Sequence, residues 1–475
     1  MSDQETVERL RTQGLDVETV GSILGDVGHG ERTTPAPFVP ARLEASPPLP
    51  EPGIYFGMSD EEYHALPALS NTGIKKLAAS PMIFWASTPW LSEQKRQKVE
   101  EAKQAEEKAH HVFGKAYHCR IMEGADAYAR RFAIRLDPAN FPDALVSTDQ
   151  IKAAIGTFTE TVAVKPKGRG KADFAAQLAA LDPTHPALVG GVDDLKTAIA
   201  TFTEEAAVQP VRKVPDTLPD GTEYMRDAVK ADWIAQLLAL DPEAEIFASL
   251  EAEHERQHEG KTFLYPDQHA ELEIAALMIE RDPGLHRAFQ GGHAEVVLIW
   301  YCERTGVPMK ARVDYLKIRG MVDLKSIANQ RERSIKNAIR FEIAAYKYNM
   351  QPAVYFEGAD AVRQLVRDHG LDVVFHADQP SVEEAAARCE FARKWASHRL
   401  PDDWLWVFQQ KGAAPITRGV YFPRGSVLMV TNDIVTAAKK LFREYGEAFG
   451  TDPWLDVKPA YTIADEEIPT SATEI

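Results

Sequence analysis

Apolar and polar positions change period several times along the chain. Residues 295–327 fall into three apolar runs, EVVLIWYC, VPMKARVDYL and MVDLKSI, separated by ERTG and KIRG. That layout predicts three strands joined by two short turns. Upstream, Ser70 and Ser80 open two helical stretches, SNTGIKKLAAS and SPMIFWAS, the second with Pro81 in its first turn. Residues 92–111 are strongly helical and mostly charged, which predicts a solvated helix running on into Phe113-Gly114-Lys115-Ala116-Tyr117-His118. Downstream, the pattern predicts a helix at about 331–349, a strand from Pro352 to Glu357 and a helix near 381–397. Strands at 404–410 and 419–422 and a helix at 431–447 follow. Strands flanked by helices imply an α/β domain.

The ends read differently. Residues 1–52 close on TTPAPFVPARLEASPPLPEP, a Pro/Ala-rich stretch expected to be an extended, disordered segment without a packed core. Order is expected from Gly53-Ile54-Tyr55, with an N-terminal helical part over 53–140 and a main core over 255–460. The tail, 461–475, is acidic and expected to be loose.

Between these parts lies an internal repeat. Residues 149–160 (DQIKAAIGTFTE) match 193–204 (DDLKTAIATFTE), and ADFAAQLAALDP at 172–183 matches ADWIAQLLALDP at 231–242. The second copy carries about 15 extra residues before its second half. Each copy reads as helix, long polar loop, helix, too small for a large core, so 147–245 is expected to be a small helical insert in a larger domain. This layout resembles SAP-like DNA-binding modules, and the loops hold Lys165, Lys167, Arg169, Lys171, Arg212 and Lys213.

Composition narrows the setting. The 475 residues are 44% hydrophobic and 26% charged, as for a globular chain of about two or three folded units. No run of 18 apolar residues predicts a membrane span, and MSDQETVERL lacks the pattern of a signal peptide. Cys119, Cys302 and Cys389 cannot make a disulfide framework or a four-thiolate metal site, so a reducing cytoplasm is the expected location. The net charge of −17 argues, taken alone, against nucleic acid as a partner. Its distribution changes that. Residues 301–350 contain 11 Lys/Arg and 5 Asp/Glu, a local +6 that leaves −23 on the rest of the chain. Arg331, Arg333, Lys336, Arg340 and Lys347 are expected on the helix after MVDLKSI, with most of them near one face, where they would hold a DNA backbone.

The chemistry centres on Asp323-Leu324-Lys325. On a strand, Asp323 and Lys325 project to one side, with the Leu324 carbonyl between them. Asp314 lies on the preceding strand, and the KIRG turn brings it close to Asp323. Two carboxylates and a lysine among apolar neighbours are costly to bury without compensation. A divalent cation supplies it, and Mg²⁺ takes a few carboxylates plus water and phosphate oxygens.

In its order of elements, Asp314…Asp323-Leu324-Lys325 resembles the PD-(D/E)XK nuclease motif. Gly114-Lys115-Ala116-Tyr117-His118 resembles the GxxxH element of the RecB/RecE branch, and Gln351-Pro352-Ala353-Val354-Tyr355 its QxxxY element. The segment from Gly53 to Pro81 resembles the start of RecE-type (exonuclease VIII-like) phage nucleases. The resemblance covers roughly 53–135 and 255–460. It implies an α/β, restriction-endonuclease-like nuclease core. It also implies an Mg²⁺-dependent exodeoxyribonuclease, with Mn²⁺ as the alternative metal, that resects double-stranded DNA ends 5′→3′ to leave 3′ single strands for recombination. Asp314, Asp323, the Leu324 carbonyl and His118 would then be the metal ligands and Lys325 the catalytic lysine. Gln351 and Tyr355 would sit at the edge of the site, and Glu295, at the start of the first strand, is a secondary acidic candidate. A RecT-like annealing protein and a homo-oligomer are the implied partners. Cas4- and AddB-type relatives hold an iron–sulfur cluster on four cysteines, so none is expected with three. The late strand departs from the RecE pattern: Phe408-Gln409-Gln410-Lys411 has no acidic residue after its glutamine. The contrasting readings are a DNA-binding or recruitment protein with an inactive nuclease fold, and a restriction-like endonuclease.

Overall fold

The computed structural model describes residues 35–104, 109–329, 331–399, 401–412 and 415–455. The expected acidic tail and residues 1–34 of the expected N-terminal segment lie outside the described residues. The chain divides into two compact units. Unit 1 comprises Met1–Arg131 and Asp267–Ile475, and unit 2 comprises Phe132–Pro266.

Unit 1 opens with β1 (Gly53–Phe56), α1 (Asp60–Ala65), α2 (Asn71–Ala79), α3 (Pro81–Ala86), α4 (Glu93–Gln104), α5 (Ala109–His118) and α6 (Ala125–Arg131). The starts of α2 and α3 follow from their caps. Ser70 Oγ accepts from Gly73 N, and Ser80 Oγ accepts from Met82 N with Pro81 next in line. Residues 35–52 correct the expectation of an unpacked linker. Phe38 is buried against Phe442, with ring centroids 5.9 Å apart, and its amide donates to the Gly306 carbonyl at 2.8 Å. A single aromatic among prolines anchors the stretch, because an extended chain can still insert one large apolar side chain into a core.

Unit 2 contains β2 (Phe132–Ile134), α7 (Thr148–Ile155), β3 (Thr159–Ala163), α8 (Lys171–Leu181), α9 (Val192–Ile199), β4 (Thr203–Ala207), β5 (Lys213–Thr217), β6 (Glu223–Asp227), α10 (Lys230–Leu240), α11 (Phe247–Gln257) and β7 (Thr262–Leu264). The insert is therefore not purely helical. Each repeat's loop holds a strand, and the extra residues of copy two form the β5–β6 hairpin. The copies are interlocked about a pseudo-twofold axis. Strands β3 and β4 pair antiparallel so that Thr161 faces Glu205, its own counterpart 44 residues on. One small core joins α7 of the first copy to α10 of the second through Ile151, Ile155 and Leu237; another joins α8 to α9 through Phe174, Leu178, Leu195 and Ile199. The pairing repeats in detail. Lys152 lies over the Trp233 ring as Lys196 lies over Phe174. Gln177 bridges the Lys165 carbonyl and Lys167 amide as Gln236 bridges those of Gln209 and Val211. Neither copy buries enough apolar surface alone, so each completes its core with a helix of the other.

Back in unit 1, the chain continues through α12 (Pro266–Arg281), β8 (Gly292–Tyr301), β9 (Pro308–Lys317), β10 (Gly320–Ile327), α13 (Ile335–Ala345), α14 (Met350–His369), β11 (Val374–His376), α15 (Val382–Ser397), β12 (Asp403–Gln410), β13 (Thr417–Tyr421) and α16 (Ser426–Phe449). The sheet order is β11-β1-β8-β9-β10-β12-β13. Strands β8, β9 and β10 form an antiparallel meander, while β10 and β12 run parallel. The main core holds fully buried Trp300, Trp395, Trp404, Trp406 and Trp454. Helix α14 lies across this sheet so closely that a Cβ at Gly358 would meet the Trp300 ring at 2.7 Å.

Two sequence expectations fail here. Residues 352–357 are helical, part of α14, and Gln351 to Phe356 are all buried. Continuous burial erases the 3.6 period and leaves an apolar run that reads as a strand. The helix expected at 331–349 is shorter: only Lys336 and Arg340 lie on α13, while Arg331 and Arg333 precede it and Lys347 follows it.

Candidate active site

The β8–β9–β10 meander places the acidic residues together by register. Glu295 and Asp314 face each other across β8 and β9, where ladder pairing is interrupted between Ala294↔Tyr315 and Val296↔Val313. Glu295 has a left-handed φ of 53°. Alternation breaks there: His293 and Val296, three residues apart, both reach the main core. On the other side, the β9–β10 ladder ends at Val322↔Tyr315, just before Asp323 and Asp314 would pair. Asp314 Oδ2 instead accepts from the Leu324 amide at 2.9 Å. Amide and carbonyl of one strand residue point to the same edge, so the Leu324 carbonyl also faces the gap between β9 and β10.

Asp323 is 1% exposed, on the sheet face covered by α14. Gln351 Nε2 donates to its Oδ1 at 2.5 Å. Its Oδ2 lies 2.5 Å from Lys325 Nζ, yet it has no hydrogen-bond partner of acceptable geometry. Burial pushes the Asp323 carboxyl up, against the pull of Lys325. Burial pulls the Lys325 ammonium down, but Asp323 and Asp314 hold it above its ordinary value. The Asp323 shift reports burial first, and the Lys325 shift reports the two carboxylates beside it.

His118, the last residue of α5, brings Nδ1 to 3.8 Å from Glu295 Oε1. Burial opposes its protonation, but Glu295 and Asp314 raise its pKa above the usual value. Glu295 Oε2 also pairs with Arg312 Nε at 2.9 Å, and Arg312 pairs in turn with Asp60 of α1. Gln351 and Tyr355, one turn apart on α14, line the cleft beside Lys325, but Tyr355 is buried and packs edge-on against Trp404 at 5.5 Å. Gln409, the glutamine of the late strand, is a structural hub. Its side chain accepts from Tyr117 OH and donates to the Ala275 carbonyl and Thr417 Oγ1.

Sequence reasoning missed the opposite wall of the cleft: Ser70, Asn71, Thr72 and Lys75 at the start of α2, and Tyr348 ahead of α14. Lys75 Nζ donates to the Tyr346 carbonyl at 2.6 Å. Burial, then the nearby Lys325, brings its ammonium down to about 8. A capping serine followed by a lysine within two turns was the available signal, too common to single out by itself.

Among the described residues, no three His, Cys, Asp or Glu side chains form a ready metal cage. The donors present still fit a hard cation: Asp323 Oδ2, which has only the Lys325 ion pair and no hydrogen bond, the Asp314 carboxylate and the Leu324 carbonyl are all oxygens, and Mg²⁺ completes its shell with water.

Residues 240–382 match the family model described as a PDDEXK-like domain of unknown function (DUF3799). The match spans Glu295, Asp314, Asp323, Lys325, Gln351 and Tyr355. It supports the PD-(D/E)XK superfamily and a nuclease-type function. No curated protein matched the chain. No helix among the described residues is long and apolar enough to cross a membrane.

Proposed function

We propose that the chain is a metal-dependent exodeoxyribonuclease that hydrolyses phosphodiester bonds from the ends of double-stranded DNA. The observation that carries this reading is the Asp323–Lys325 pair, buried where β9 and β10 part and aligned with Asp314. The order of motifs, which resembles RecE-type nucleases, supports 5′→3′ resection and a RecT-like annealing partner.

Asp314, Asp323 and the Leu324 carbonyl would hold Mg²⁺, or Mn²⁺ in its place, with His118 and Glu295 completing or orienting the shell. A bound divalent cation lowers the pKa of a coordinated water and neutralises charge at phosphorus. Gln351 occupies Oδ1 of Asp323, which fixes the carboxylate plane and leaves Oδ2, beside Lys325 Nζ, as the oxygen that would face a cation. Lys325 Nζ, held beside that oxygen, orients the attacking water or offsets charge on the phosphoryl oxygens. Arg331, Arg333, Lys336, Arg340 and Lys347 supply the local positive surface for the DNA backbone.

The test is digestion of end-labelled linear duplex in Mg²⁺. Lys325→Ala and Asp323→Asn are expected to reduce cleavage by at least ~10²-fold while melting near the parent temperature. Undiminished digestion in either variant sinks the assignment. Cleavage of closed circular DNA would assign the endonuclease reading, and DNA binding without cleavage the recruitment reading. Comparing 5′- with 3′-labelled ends assigns polarity.

A further inference from the structure

Outside the acidic site, aromatic rings lead from the Lys325 ammonium to the protein surface. Lys325 Nζ lies 5.2 Å from the centroid of the Tyr348 ring. Tyr348 stacks on Tyr346, centroids 5.6 Å apart and planes within 18°. Tyr346 is 57% exposed, so its outer face is open. These two steps together put it within about three base-pair rises of ~3.4 Å from the catalytic lysine. On α13, five residues before Tyr346, Phe341 is 53% exposed and carries the Arg333 guanidinium at 4.3 Å. Arg331, Lys336, Arg340 and Lys347, in the same stretch of chain, are exposed.

The backbone is built to present them. Lys347, between the two tyrosines, has a left-handed φ of 50°, and Glu332, just before α13, one of 49°. Such conformations cost free energy in non-glycine residues and persist where the surroundings enforce them. Asn329 holds the Arg333 loop in place. Its side chain accepts from the Arg333 amide and donates to the Arg333 carbonyl and to Gln410 Oε1 at the end of β12.

We infer that the exposed Tyr346 ring, stacked on Tyr348 beside Lys325, is a stacking position for an unpaired base, with Phe341 a second and separate one, so that the strand entering the site is peeled from its complement before it is cut. The inference rests on the nuclease reading for its substrate and deepens it. Within a duplex, base pairs hide their faces by stacking on one another and only the terminal pair has one face open, whereas each base of a single strand offers its π-face to an exposed ring. Flanking cations hold the backbone without reading sequence. A surface made only for duplex phosphates would need the cations but not the two exposed rings.

Binding of the full-length protein in EDTA to a 2-aminopurine-labelled single strand, and to a relaxed, covalently closed circular duplex without ends or unpaired bases, tests this. Both ligands are checked on a gel afterwards to be intact. Tyr346→Ala and Phe341→Ala are each expected to weaken single-strand binding about tenfold, the scale of removing one base–aromatic stack, and to change duplex binding by less than about twofold. The stacking-dependent change in 2-aminopurine fluorescence should fall with them, and Tyr346→Phe should restore it. Equal weakening for both ligands, or unchanged single-strand affinity in both alanine variants, overturns the inference. Failure of the nuclease reading shows separately, as linear duplex left intact in Mg²⁺.

Discussion

Asp323 accepts a hydrogen bond from Gln351 and lies beside Lys325, yet burial still disfavours its charge. Gln351→Leu removes the donor that fixes the carboxylate. It is expected to reduce cleavage roughly 10–100-fold and raise the Mg²⁺ concentration for half-maximal activity, as for other residues that support a metal ligand; a metal titration checks this. Lys310 is a second buried charge with a different consequence. Its Nζ donates to the Tyr63 and Leu66 carbonyls at 2.8 Å each, and burial brings its ammonium down to about 7. Between about pH 7 and 10.5 the unfolded chain keeps a proton here that the folded protein has released. Stability from this group therefore rises with pH across that window, and its cost is full below pH 7. Lys310→Met should flatten the urea-unfolding free energy against pH from 7 to 9.5 relative to the parent. Parallel curves would show that Lys310 stays charged in the fold.

At the scale of elements, α14 and α16 are joined by a buried ion pair. Lys439 Nζ, fully buried, lies 2.5 Å from Glu357 Oε2, and Trp300 Nε1 donates to the other oxygen at 3.1 Å. Lys439→Met leaves the Glu357 charge without its partner. Because Glu357 is about 29% exposed, the loss is on the order of 2–3 kcal/mol, below that of a fully buried pair. Adding Glu357→Gln removes the orphan charge, keeps an acceptor for Trp300 and should recover most of that loss in urea unfolding. Legibility also divides by element. The meander of β8, β9 and β10 was readable because short turns separate its apolar runs. Helix α14 was not, since nearly every residue of its first two turns is buried. Asp314, Asp323 and Lys325 were legible because charge in a strand pattern is conspicuous. Lys75 and Tyr348 were not, because they reach the cleft from elements distant in sequence.

For the whole molecule, the candidate site residues all belong to unit 1, and the repeat to unit 2. Replacing 132–266 by a short Gly/Ser linker is expected to leave Mg²⁺-dependent cleavage in place; loss of cleavage with unit 1 still folded would make unit 2 part of the catalytic apparatus. The charge distribution gives a second test. Neutralising Arg333, Lys336 and Arg340 together should lower the slope of log affinity against log salt by about 0.9 for each DNA phosphate left without its cation, whereas neutralising three lysines elsewhere on unit 1 should not.

The sequence by itself determined the local and chemical features: the three-strand meander, the Asp–Lys pair on one strand face, the repeat, and a basic segment in an acidic chain. These depend on residue type and short spacing, which turn geometry and side-chain alternation translate directly into structure. Tertiary structure alone decided the rest. It placed Gln351 on a helix against Asp323, broke strand alternation at Glu295 and brought the start of α2 and Tyr348 to the cleft. It also interlocked the repeats through one another's helices. Each of these depends on which surfaces are buried against which, a long-range outcome of packing that no local period records.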